Sequence, residues 1–145
     1  MKKSIMAMGI LLLGIILQGC AGYQGARLVN QEGTICQDKE NGLMWQVERS
    51  TSVDSLQEAE AYISRLNQGK YSDWRLPTVT EMFDLYYIFD LHQNGDCDIE
   101  RKGRYWSRDK EGDAGAGAWE IGNQCDPARV YRPSTIGGYV RAVRP

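Results

Sequence analysis

The chain has 145 residues, 42% of them hydrophobic and 25% charged, with four Trp, eight Tyr and two Phe. That composition suits one folded domain with a sizeable core and excludes a disordered chain. Seventeen Lys and Arg against 19 Asp and Glu leave a net charge of −2, which argues against a nucleic-acid binder, and the single histidine, His92, excludes His-rich metal centres.

The first residues read as an address. Lys2 and Lys3 precede an apolar run over 5–17, patterned as a secretory signal and too short to cross a bilayer comfortably. Leu17-Gln18-Gly19-Cys20 resembles the bacterial lipobox, with Gln18 where that motif carries a small or aliphatic residue. The resemblance implies removal of residues 1–19, a diacylglycerol on the Cys20 thiol and acylation of its new amine, which together give a stable membrane anchor. Ala21 rather than Asp after the cysteine implies the outer membrane, on its periplasmic or surface face. Loss of Lys2 and Lys3 would bring the mature chain to −4. Residues 20–33 are small and polar and are expected to be a lipidated tether, with the domain spanning 34–145.

Export favours disulfides, and Cys36, Cys97 and Cys125 remain beside Cys20. Cys97–Cys125 is the expected pair, because both lie in Gly/Asp/Asn-rich loops that a bridge would restrain; Cys36–Cys125 is the alternative. No spacing matches a CxxC redox or zinc motif.

After the Asn41-Gly42 turn, Leu43, Trp45 and Val47 alternate on one face and predict a first strand over 43–47. A helix is expected over 52–68: Asp54 and Ser55 are candidate N-caps, Ser55 and Glu58 fit a capping box, and Leu56, Ala59, Ile63 and Leu66 form one apolar stripe. Asn67 and Gly69 close it. A second helix is expected after Pro77, opened by the Thr78/Glu81 capping box and burying Met82, Leu85, Tyr86 and Phe89. Short strands are expected at 104–107, 118–121 and 130–131, the first two around a loop over 108–117. The last, 138–143, carries apolar groups on both faces and should be central. The order defines an α+β protein.

The segments Asn41-Gly42-Leu43-Met44-Trp45-Gln46, Asp73-Trp74-Arg75-Leu76-Pro77-Thr78 with Glu81, Tyr105-Trp106-Ser107 and Val140-Arg141-Ala142-Val143-Arg144 together resemble the Lcl C-terminal domain family, over about 34–144. The resemblance implies a C-type-lectin-like fold related to the sulfatase-modifying domains: two helices on a small, mainly antiparallel twisted sheet with long loops. It further implies that 43–47 lies beside 138–143. Members are common on bacterial surfaces, the namesake is an adhesin for host polysaccharides, and the family has no agreed catalytic site.

Asp73-Trp74-Arg75-Leu76-Pro77-Thr78 with Glu81 invites a catalytic reading, but a structural one explains more of it. Trp74 and Leu76 fill the core, Pro77 sets the entry angle, Thr78 and Glu81 cap, and Asp73 and Arg75 bond the connecting loops. In 90–100, Asp90, Asn94, Asp96 and Asp98 with Gly95 at the sixth place resemble a calcium loop. His92 takes the third place, however, and Arg101 the bidentate one, so a solvated acidic loop is the reading preferred and no metal or other cofactor is expected. Neither the calcium-bridged sugar motifs of C-type lectins nor the paired active-site cysteines of formylglycine-generating enzymes occur.

Tyr105, Trp106 and Trp119 read as core rather than as a sugar platform. Arg101, Arg104, Tyr131 and Arg132 are the candidate ligand-binding residues, because loops carry function. Arg101, Lys102, Arg104, Arg108 and Lys110 cluster in sequence and could meet an anionic polysaccharide, although a solvated face is the commoner outcome. The expected protein is therefore a membrane-anchored, non-catalytic lipoprotein that binds a polysaccharide or an envelope or surface protein. The alternative is a structural or assembly subunit of a cell-envelope complex.

Overall fold

The computed structural model describes residues 25–121 and 129–145. Two capping boxes set its helices. Ser55 Oγ accepts the Glu58 amide while the Glu58 carboxylate accepts the Asp54 and Ser55 amides, and α1 (Leu56–Leu66) follows. Thr78 and Glu81 repeat the arrangement ahead of α2 (Val79–Asp90). Each box satisfies amides that a helix start leaves without partners.

Two antiparallel sheets accompany the helices. The first has the order β1 (Leu28–Gln31), β2 (Ile35–Asp38), β3 (Met44–Gln46), β7 (Val143–Arg144). The second is β4 (Tyr105–Arg108), β5 (Ala114–Ile121), β6 (Arg129–Ser134). The expected neighbourhood of 43–47 and 138–143 holds through Trp45 opposite Val143 and a Gln46 amide donating to the Ala142 carbonyl.

The segment 138–144 forms regular strand only at its end but is the spine of the molecule. Gly138 bridges Val53, Tyr139 bridges Tyr105, and Val143 bridges Arg75. Val140, Arg141, Ala142 and Val143 are all buried. Their apolar members divide among three clusters: Val143 packs with Trp45, Tyr105, Trp119 and the inner face of α2; Val140 with Ala59, Leu76 and Trp106; Ala142 with Ile35 and Trp74. The central position expected for this segment follows, and Tyr105, Trp106 and Trp119 are core, as read from the sequence.

Three expectations need correction. The tether boundary at 33 lies too far along the chain: Leu28 is 1% exposed, β1 pairs with β2 along its length, and Arg27 grips buried Asp38 through bonds of 2.8 and 2.6 Å. The strand at 43–47 is consequently the third rather than the first. The loop expected over 108–117 ends at Asp113, since Ala114 to Gly117 already pair with β4. The disulfide joins Cys36 to Cys97, not Cys97 to Cys125, with Cα atoms 5.9 Å apart. Cys36 sits on β2 opposite Trp45 and faces the core with Cys97, a pairing hidden while 26–38 is read as peripheral. Cys125 lies outside the described residues, as does Cys20.

Candidate functional site

The segment 97–102 alternates: Cys97 and Ile99 are buried, while Asp98 and Glu100 turn outward. The disulfide and Ile99 hold its inner face to the core. Its carbonyls are then captured from behind. Arg141 Nη2 donates to the Glu100 carbonyl at 2.7 Å, and the Tyr105 hydroxyl donates to the same oxygen at 2.6 Å. The Tyr86 hydroxyl donates to the Arg101 carbonyl. Arg49 Nη1 donates to the Lys102 carbonyl at 2.7 Å and to the Tyr105 hydroxyl at 2.9 Å, with its guanidinium 3.7 Å from the centre of the Tyr139 ring.

Arg141 is 1% exposed, and its bonds run to backbone oxygens of Gln46, Val47 and Glu100. Burial pushes its guanidinium below its ordinary value, partly offset by the neighbouring Tyr105 hydroxyl. Burial also raises the Tyr86 hydroxyl well above its usual range, so it acts as a proton donor to the Arg101 carbonyl. The Lys102 amide, 2.7 Å from the Glu100 carboxylate, holds that acid below the usual carboxylate range.

With its carbonyls facing inward, the segment forms one wall of a cleft of about 600 Å³. Tyr86 supplies aromatic surface there, with the edge of the buried Trp119 behind it; Asp98, Glu100, Arg101 and Lys102 supply charge. Trp119 is fixed by its indole N–H donating to the Val79 carbonyl at 3.0 Å and by the Tyr131 ring at 4.8 Å. The lining described here contains no Ser, Thr, Cys or His.

Of the four ligand-binding candidates named from sequence, Arg101 alone lines this cleft, its guanidinium 4.3 Å from the Phe89 ring centre; Lys102 of the basic run and Asp98 of the acidic loop line it too. Arg104 donates to the Gly137 carbonyl at 3.0 Å, Tyr131 backs Trp119, and Arg132 pairs with Glu120 at 2.9 Å. The rest of the basic run does not converge on it, because Arg108 pairs with Glu60 and Lys110 with Glu111. Tyr86, Arg49 and Arg141 were missed as members of one site. The available signal was Arg141 itself, a cation inside the apolar run Val140–Val143.

The calcium reading of Asp90, Asn94, Asp96 and Asp98 has a different structural content. Asn94 Nδ2 donates to the Cys97 carbonyl at 3.0 Å, and the Cys97 amide returns to the Asn94 carbonyl at 3.0 Å. Gly95, at φ 54°, passes so close to β1 that a Cβ there would lie 2.8 Å from the Leu28 carbonyl oxygen. Among the described residues no group of three or more His, Cys, Asp or Glu is placed to hold a metal ion. Asp73 and Arg75 bond connecting segments: Asp73 accepts two bonds from Arg144 at 2.5 and 2.9 Å, and Arg75 donates two to Glu81 at 2.8 and 2.6 Å.

The fold and cleft define an α+β domain with a rigidly backed surface site. Residues 34–144 match the Lcl C-terminal domain family, and the chain belongs to that family. No curated protein and no solved structure matches the chain. Among the described residues no helix is long and apolar enough to cross a membrane.

Proposed function

We propose that this chain is an exported lipoprotein, anchored in the outer membrane of a bacterial envelope through acylated Cys20, whose domain binds a polysaccharide without catalysis. The cleft beside 98–102 carries the reading. A pyranose ring has an apolar face that rests on aromatic surface, here Tyr86 with the buried Trp119 behind it, and hydroxyls that exchange hydrogen bonds with carboxylates and cations, here Asp98, Glu100, Arg101 and Lys102. The backing bonds from Arg49, Tyr105 and Arg141 favour a wall that is set before the ligand arrives. A C-type-lectin-like arrangement is part of this reading, supported by the pairing of β3 with β7 and by two helices joined to long loops.

The test is retention of the full chain on a panel of immobilised neutral and anionic polysaccharides, beside the Arg101→Ala/Lys102→Ala variant. Retention by at least one polysaccharide, weakened about tenfold or more in the variant, is the expected result. Equal retention of both proteins would remove the cleft from the account. In parallel, Cys20→Ala should release the chain from membranes, and persistence in the membrane fraction would sink the lipoprotein reading.

One observation favours the assembly reading as second. β6 stands at the edge of its sheet, with Val130 37% and nearby Ile136 62% exposed, and exposed strand edges are sites of partner pairing. Recovery of one envelope protein by crosslinking, with no polysaccharide retained, would select it.

A further inference from the structure

A second cavity lies apart from the proposed sugar cleft and shares no lining residue with it. It has a volume of about 390 Å³ and opens between the first sheet and the C-terminal end of α1. Its apolar walls are Ile35, Leu66, Tyr71 and Trp74, and Gln31, Thr34 and Gln46 add neutral polar groups. Tyr71 meets Trp74 edge-on, with ring centres 6.0 Å apart, so the aromatic surface is set by packing. Arg144 covers one face of Tyr71, its guanidinium 4.0 Å from the ring centre, while two bonds hold it to Asp73.

The charged lining is unequal. Glu32 and Glu48 bring two carboxylates against the single ammonium of Lys70, which is drawn to Glu32 at 3.9 Å. Among the described residues Glu48, which is exposed, enters no ion pair, and its neighbour Arg49 is turned to Lys102, Tyr105 and Tyr139. An apolar chamber with an unneutralised carboxylate in its lining complements an apolar stem that ends in a cation. A neutral alcohol would find the apolar walls but gain from Glu48 only a hydrogen bond and no charge attraction, and an anion would be opposed by it.

We propose that this cavity is a binding site for an ammonium group carried on an apolar stem, with Tyr71 and Trp74 receiving the stem and Glu48 the charge. Two sources present that chemistry: a free alkylamine, or a lysine side chain of an extended peptide.

The experiment follows the indole N–H resonance of Trp74, assigned by its loss in Trp74→Phe, as the full chain is titrated with hexylammonium, hexanol, hexanoate and acetyl-Gly-Lys-Gly-amide. Hexylammonium is expected to bind about tenfold or more tightly than hexanol and hexanoate, and Glu48→Gln is expected to erase that preference while hexanol binding stays. A peptide that matches hexylammonium identifies the lysine source; a peptide at least tenfold weaker identifies the free amine. Equal shifts from all three six-carbon probes, no shift from any, or an ammonium preference that survives Glu48→Gln would each overturn the proposal. These outcomes are separate from polysaccharide retention, which reads the other cleft.

Discussion

Arg141 and Glu100, 41 positions apart, are joined by a 2.7 Å hydrogen bond from the buried guanidinium to the Glu100 carbonyl. The same guanidinium serves Gln46 and Val47, so one side chain ties β3, the C-terminal spine and the wall of the proposed sugar cleft. Arg suits this role because its planar fork presents several donors in fixed directions. Replacement by Met keeps volume but leaves three inward-facing carbonyls short of a donor, and each such loss costs about 1–3 kcal/mol. Arg141→Met is therefore expected to lower stability by about 3 kcal/mol or more, and Arg141→Lys by less, as measured by urea unfolding at unchanged slope. A change within about 0.5 kcal/mol, the range of ordinary surface substitutions, would show that other donors serve these carbonyls.

The Cys36–Cys97 bridge spans 61 positions. Closing a loop of that length restricts the unfolded chain by about 4 kcal/mol in the chain-entropy account. Cys36→Ala/Cys97→Ala is expected to lose stability of that order, while Cys125→Ser leaves the bridge intact. Peptide mapping without reduction reads the second point directly. A fragment joining Cys97 to Cys125 would contradict the structure.

Local signals made much of this architecture legible. Both helix starts follow from side chains within four residues of one another, and the tight couplings Ser55–Glu58 and Thr78–Glu81 need no tertiary context. What escaped the sequence depends on distant partners. Residues 28–31 read as part of a polar tether because the stretch around them is small and polar, and only pairing with β2 makes them a strand. The Gly/Ala run at the start of β5 lacks β-branched residues. Its strand character comes from packing: a Cβ on Gly117 would collide with the Tyr131 ring, 2.2 Å away. The cleft was half legible. Arg101 was named from its loop, but Arg49, Tyr86 and Arg141 reach the site through carbonyl contacts that no sequence pattern encodes.

Glu81 links α2 to Arg75 and couples stability to acid. Partial burial works to raise its pKa, but the bonds from Arg75 and the Thr78 amide outweigh that effect and hold it below its ordinary 4.5. A carboxylate with a depressed folded pKa contributes stability that is full above its unfolded value and fades as pH falls through the folded one. The expected result is a loss of stability as pH drops below about 4.5, with Glu81→Gln showing a shallower loss. At neutral pH the variant should be weaker by about 1 kcal/mol, the worth of a cap, since Arg75 is 41% exposed and water screens its charge. Identical acid limbs in the two proteins, measured by denaturant unfolding at stepped pH, would remove Glu81 from the linkage.

His92 ends α2 in the left-handed region, at φ 55°. The Gln93 amide donates to the Ile88 carbonyl at 2.9 Å and the His92 amide to the Phe89 carbonyl at 3.0 Å. That is the two-bond helix ending in which glycine normally takes the left-handed position. A side chain with a Cβ pays about 1–2 kcal/mol there, and glycine's greater freedom in the unfolded chain returns part of the difference. His92→Gly is accordingly expected to raise stability by about 0.5–1 kcal/mol, with His92→Ala gaining nothing, because alanine keeps the Cβ. The pair separates backbone strain from any contribution of the imidazole. If both variants lose stability equally, the ring makes a contact that outweighs the strain; if glycine alone gains, the backbone dictates this position, and the third place of the supposed calcium loop is a helix stop.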